Sequence, residues 1–135
     1  MNTMPRKKTI MIVDDSPLHV QELSGMIGDE FVLSSVTSGG EALKMVHKKM
    51  PDLILLDILM PEMDGRHILR YIRNLERTMK VAPQNRAKIV MISAIGFPQG
   101  GVKELHSLCD AYITKPVTRE KLDEVLKKLG FSSNR

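Results

Sequence analysis

Four short apolar runs each stop at a polar residue. Asp14-Asp15 follow Ile10-Met11-Ile12-Val13, Asp57 follows Leu53-Ile54-Leu55-Leu56, Ser93 follows Ile89-Val90-Met91-Ile92, and Lys115 follows Tyr112-Ile113-Thr114. Runs of this length, separated by helix-period segments, read as parallel strands buried on both faces. Ligands of open parallel sheets collect outside the carboxyl ends of the strands, so five residues distant in sequence are expected to converge on one edge. Three carboxylates, a hydroxyl and an ammonium make an acidic cluster, and like charges a few ångströms apart resist joint ionisation. The natural guest of such a cluster is a divalent cation.

Strand and helix signals alternate as in βαβ units, which points to an α/β fold with a parallel sheet. Strands are expected near 9–13, 31–36, 52–57, 88–93 and 111–114. The first helix should begin with Ser16 as cap and Pro17 in its first turn, bury Val20, Leu23 and Ile27, and stop at Gly28. Ser38-Gly39-Gly40-Glu41 has capping-box spacing, Leu43, Val46 and Met50 share a side, and Pro51 breaks that second helix. The third should run from about Gly65 to Met79 with Ile68, Ile72, Leu75 and Met79 inward. The last should run from Thr118 to Leu129 with Leu122, Val125, Leu126 and Leu129 inward and Gly130 as terminator. Gly96-Phe97-Pro98-Gln99-Gly100-Gly101 stands where a fourth helix would begin and resists regular helix until about Val102.

At 135 residues the chain matches one ordinary domain, expected over 9–130 between an extension at 1–8 and a tail at 131–135. The formal charge of +4 and pI near 9.3 favour acidic partners without choosing among them. Cys109 is the single cysteine, no apolar stretch approaches a membrane span, and Arg6-Lys7-Lys8 leads into only a short apolar run. A reduced, soluble, cytoplasmic protein without membrane attachment is the expectation.

Together, Asp14-Asp15, Asp57 followed by Met60-Pro61-Glu62-Met63-Asp64-Gly65, Ser93-Ala94, and Tyr112-Ile113-Thr114-Lys115-Pro116 resemble the receiver domain of bacterial response regulators. The resemblance covers almost the whole chain and is closest to stand-alone, chemotaxis-regulator-like members. It implies a flavodoxin-like doubly wound sheet of five parallel strands in the order 2-1-3-4-5 with helices on both faces. It implies Asp57 as phosphoacceptor, taking a phosphoryl group from a histidine kinase, a histidine phosphotransfer protein or a small phosphodonor, with positioning and charge neutralisation supplying most of the catalysis. Asp15, and Asp14 through water, would hold Mg²⁺ beside Asp57 with the backbone carbonyl of Leu59 as a further ligand. Lys115 and Ser93 would bind phosphoryl oxygens, Tyr112 would turn inward as the hydroxyl moves, and Lys115–Pro116 is a candidate cis peptide. The implied output is phosphorylation-dependent binding of an unidentified protein target. Such a protein is no enzyme beyond its own phosphotransfer and dephosphorylation.

Each residue has a plainer reading in isolation: a helix-capping acidic pair, a turn serine, a surface lysine, a half-buried strand aromatic. Asp57 is the hardest to dismiss, because an unpaired carboxylate ending an apolar strand is costly. His19, His47, His67 and His106 lack metal-ligand spacing and read as structural, as does Cys109, and the ten methionines fall mostly at core-facing positions. Arg66, Arg70, Arg73 and Arg77 recur in one stripe of the third helix, read as a solvated back partly balanced by Glu62 and Glu76, or else a docking strip for an acidic partner. Direct DNA binding is not expected: three Phe, two Tyr and no Trp offer little stacking.

Three features depart from the commonest family pattern. Ser93 replaces a threonine, a loop from Lys80 to Ala87 lengthens the link into the fourth strand, and the Pro-Gly segment disturbs a surface where many receivers meet their targets. An intermediate phosphate carrier in a relay is a second reading. An aspartyl-phosphate phosphatase is a third, and it would need an aspartate where Leu59 stands. The family's two positions overhanging the phosphoryl group are here Leu59 and Ile95, neither able to orient a water. Hydrolysis is therefore expected to be slow, and Leu59→Asn with Ile95→Glu to shorten the aspartyl-phosphate lifetime roughly ten-fold, about 1.4 kcal/mol in barrier. A phosphate-release time course decides this; decay within seconds in the wild type, or no acceleration in the double variant, would remove these side chains from control of the lifetime.

Overall fold

A computed structural model describes residues 6–60, 64–94 and 107–131. Five strands, β1 (Thr9–Val13), β2 (Val32–Val36), β3 (Leu53–Asp57), β4 (Lys88–Ser93) and β5 (Ala111–Thr114), form one sheet in the order β2-β1-β3-β4-β5. Every neighbouring pair is parallel, with Val13 beside Leu56 and Val36, Asp57 beside Ile92, and Ser93 beside Thr114. This is the doubly wound order that the family resemblance implies. The helices are α1 (Pro17–Met26), α2 (Gly39–Lys48), α3 (Gly65–Thr78) and α4 (Arg119–Lys128). Ser107 and Leu108 are also helical. The expected start of a helix near Val102 and the segment 96–101 lie outside the described residues.

The continuous apolar strands are explained by two cores, one on each face of the sheet. Met11, Val13, Ile54, Leu56, Ile89 and Met91 point to one face, where Ala42 and Val46 of α2 and Ile68, Leu69 and Ile72 of α3 cover them. Ile10, Ile12, Leu53, Leu55, Val90 and Ile92 point to the other, against Leu23 and Ile27 after and within the α1 region and Leu122 and Leu126 of α4. Side chains alternate along each strand, so no position in β3 faces water, and Asp57 is the single polar residue of that strand.

Caps set the helix starts. Ser16, Ser38 and Thr118 each accept a hydrogen bond from the backbone N–H three residues on, and Asp64 accepts from Arg66 N. Gly130 terminates α4 at φ 87°. Helix α1 ends at Met26, before Gly28, because the Ile27 N–H turns back to the Ser24 carbonyl. The start of β1 is tied to the start of β3 through Asp52. Its carboxylate accepts from Thr9 N at 2.7 Å and from both terminal nitrogens of Arg6 at 3.2 and 3.0 Å. No described helix is long and apolar enough to cross a membrane.

Two expectations for α3 fail, for one physical reason. Met79 is 67% exposed, and Arg73 does not lie on an open stripe. Its guanidinium reaches over the helix end, donating to Glu76 Oε1 at 2.7 Å, Asp110 Oδ2 at 2.9 Å and the carbonyls of Leu108 and Ala87 at 2.7 and 2.8 Å. Glu76, read as a surface counter-charge, is buried and also accepts from Ala87 N at 2.7 Å. The loop from Lys80 to Ala87, which contains a 3₁₀ turn at Pro83–Asn85, brings the Ala87 backbone to the end of α3, and the approach to β5 brings Leu108 and Asp110. A polar network therefore closes the core where Met79 was expected to do so.

Breaking a buried pair strands a charge and a buried N–H. Glu76→Ala should destabilise the fold by about 3 kcal/mol or more, whereas Met79→Ala should cost less than about 0.5 kcal/mol. Urea unfolding measures both, and equal effects would contradict this assignment of the α3 end.

Candidate functional site

The sheet delivers its polar strand ends to one place. Asp14 and Asp57 are 3% and 4% exposed, Asp15 is exposed, and one carboxylate oxygen from each lies within 4.8 Å of the others. Asp14 sits in the turn from β1 to α1, where its Oδ1 accepts from Ser16 N at 2.9 Å and its own N–H reaches the Val36 carbonyl. Asp57 Oδ1 accepts from Leu59 N at 3.2 Å, and Oδ2 lies 3.6 Å from Lys115 Nζ. Lys115 follows β5, and its backbone N–H donates to the Ser93 carbonyl at 2.7 Å, which joins the ends of β4 and β5. Ser93 is 3% exposed. Tyr112 is half-buried, two residues before the end of β5, and packs against the core shared with α2 and α3. The Lys115–Pro116 peptide is cis.

The electrostatics follow from this crowding. Burial, with the Asp14 carboxylate next in weight, pushes the Asp57 carboxyl above its usual range; Lys115 and the Leu59 N–H oppose the shift. The donor atoms of the cluster are all carboxylate oxygens, the preference of a hard cation. Leu59 is 54% exposed beside it, and Ile95 lies outside the described residues.

Two residues matter here that the sequence reading passed over. A Cβ on Gly65 would stand 2.5 Å from the Asp57 carbonyl oxygen and 2.8 Å from Ile58 Cα, and Gly65 N donates to the Ile58 carbonyl at 2.8 Å. Only glycine permits the start of α3 to press against the backbone that carries Asp57. The sequence places Asp64-Gly65 in the stretch that resembles the receiver family and Gly65 at the start of the third helix, but assigns the glycine no packing role; its place directly after a capping aspartate is the available signal. His19 Nδ1 lies 3.5 Å from Asp14 Oδ2. Only its position one turn into α1, above the acidic pair, could have suggested that proximity. A cavity of about 330 Å³ opens beside it, between Glu22 and Leu23 of α1 and Lys115 and Val117.

With this fold and cluster in view, comparison with known proteins is direct. The sequence profile of the response regulator receiver domain matches residues 10–127. The chain belongs to that family, the receivers of two-component signalling. It is 34% identical over 131 residues to hybrid signal transduction histidine kinase L of Dictyostelium discoideum, covering 93% of this chain and 7% of that protein. It is 26% identical over 121 residues to the polar-differentiation response regulator DivK of Brucella ovis, covering 89% of this chain and 94% of that one. A CheY-like response regulator receiver domain protein from Methanospirillum hungatei JF-1 superposes with a TM-score of 0.73 at 30% identity, covering 96% and 100% of the two chains. The chain spans half or less of the length of several curated relatives that it matches.

Because the folded Asp57 carboxyl holds its proton to higher pH than in the unfolded chain, the folded state binds more protons between the two values. Stability therefore falls as pH rises from about 4 through the raised value. In chelator, Asp57→Asn should melt above the wild type at pH 7, with the gap closing as the pH approaches about 4. Thermal melts across that range check it; a variant that melts lower at neutral pH would mean that Lys115 outweighs burial and Asp14.

Proposed function

We propose that this receiver accepts a phosphoryl group on Asp57 and signals by phosphorylation-dependent binding to a protein target. The observation that carries this reading is the buried Asp57 carboxylate at the end of an apolar strand, with Asp14 and Asp15 on one side and Lys115 on the other. A carboxylate so placed is a nucleophile with a fixed approach. A P–O bond to Asp57 forms as the P–N bond of a phosphohistidine breaks, the imidazole leaving with the electron pair. Lys115 would draw the developing negative charge on a phosphoryl oxygen, and the Ser93 hydroxyl would donate to another. In this reading the chain catalyses only its own phosphorylation and dephosphorylation, and acts in the cytoplasm.

The acidic cluster fits Mg²⁺. Its carboxylate oxygens, one from each of three side chains and all within 4.8 Å of one another, are hard donors close enough to share one small hard cation. Asp15, Asp57, Asp14 through water and the Leu59 carbonyl would hold the ion. When bound, it supplies the positive charge that lets these carboxylates and a phosphoryl group share the site.

The donor in this proposal is a histidine kinase or a histidine phosphotransfer protein. The likeness to part of a hybrid histidine kinase favours a second reading, an intermediate that passes its phosphoryl group onward to another histidine. Transfer to a phosphotransfer protein in a purified mixture separates the two.

Acetyl phosphate with Mg²⁺ should add one phosphoryl mass to the wild type, map to Asp57, and fail on Asp57→Asn or in chelator. Intact-protein mass spectrometry reads all three. An adduct that persists in the Asn variant, or forms equally well without the metal, would end the proposal.

A further inference from the structure

Two features left unused by the phosphoacceptor site meet at the opposite pole of the molecule. One is the pair Arg73 and Arg77 at the end of α3, and the other is the lengthened loop from Lys80 to Ala87. Between them lies a cavity of about 250 Å³, lined by Arg73, Arg77, Pro83, Arg86, Lys88 and Asp110 among others. Lys88 begins β4 and Ser93 ends it, so the cavity lies about 16 Å along the strand from the site edge. It is separate from the acidic cluster.

Its charge is unbalanced. Among the described residues, four cations, Arg73, Arg77, Arg86 and Lys88, face two carboxylates, Glu76 and Asp110, an excess of two positive charges. Both carboxylates are committed to Arg73, and Asp110 Oδ2 also accepts from Ile89 N at 2.8 Å. Arg73 is thereby fixed as a floor with four of its five N–H donors engaged. Among the described residues, Arg77 donates only to the neutral Asn74 side chain, at 2.7 Å. Arg86 and Lys88 have no ion-pair or side-chain hydrogen-bond partner among the described residues. Two forked guanidinia and an ammonium around a concavity match the oxygens of linked phosphates better than a single carboxylate. Pro83 and Leu108 add an apolar wall.

We propose that this cavity binds a polyphosphate-bearing small molecule, a nucleoside polyphosphate or an inorganic one, through Arg77, Arg86 and Lys88. The loop that lengthens the link into β4 supplies Arg86 and sets Lys88 opposite Arg77, so the site belongs to this chain's own departure from the common receiver pattern. A ligand there would bridge the end of α3 to the start of β4. That is the junction which the Arg73–Glu76–Asp110 network already stiffens.

Calorimetric titration of the full chain with ATP, GTP, tripolyphosphate and inorganic phosphate, at constant ionic strength and in chelator, tests this. Saturable one-site binding of a polyphosphate is expected, tighter than inorganic phosphate. It should weaken at least ten-fold in the variant Arg86→Ala/Lys88→Ala, which alters one exposed and one half-buried side chain and whose melting should match wild type, and should be unchanged in Asp57→Asn. A nucleotide that binds tighter than tripolyphosphate identifies a base on the apolar wall; equal binding identifies an inorganic ligand. Absence of saturable binding, or equal binding by the double variant, overturns the proposal. So would a polyglutamate peptide that binds more tightly than any phosphate, which would make the cavity a protein-docking surface.

Discussion

A carboxylate held at the end of a wholly buried strand is the constraint around which this molecule is arranged. Asp57 cannot be hydrated freely, because β3 is covered on both faces and flanked by β1 and β4. Nor can it be neutralised by one partner, because Lys115 at 3.6 Å is offset by Asp14 and Asp15. The charge is left partly unanswered in the resting protein. In the proposed function, that imbalance is what would make the site receptive both to a cation and to a group that converts the carboxylate to an ester. Two cores hold the strands in register, so the imbalance cannot be relieved by moving the backbone.

Much of this was legible in the sequence, for identifiable reasons. Strands buried on both faces are continuous apolar runs, and their ends are sharp when a charged residue follows, as at Val13-Asp14 and Leu56-Asp57. Caps such as Ser16 and Ser38 are local chemistry and were found where expected. The failures were tertiary. Periodicity puts Arg73 in line with Arg66, Arg70 and Arg77, but it carries no information about Asp110, thirty-seven residues on, whose carboxylate draws that guanidinium inward. Met79 was assigned to the core by the same counting; the Arg73 network closes that end, and the methionine is released to solvent. The convergence of Asp14, Asp57, Ser93 and Lys115 was foreseeable from topology. The pressure of Gly65 on the Asp57 carbonyl was not, because it depends on a helix-to-strand distance.

The two poles of β4 contrast physically. At its carboxyl end, negative charges crowd with too few cations; at its amino end, positive charges crowd with too few anions. A net charge of +4 conceals this separation, which is why composition said little about partners. Such polarity along the sheet orients approaching ligands by sign before any contact forms.

The contact between Gly65 and Ile58 has a further consequence. Gly65 N reaches the Ile58 carbonyl, and the two backbones touch, so the start of α3 is anchored directly to the backbone one residue beyond Asp57. An anchor made on folding has already surrendered its freedom, and a ligand at this edge need not order Ile58 or Gly65 again. Leu59, the residue after Ile58, already directs its N–H at Asp57. The anchored residues thus offer a ligand charge and shape without an ordering cost of their own.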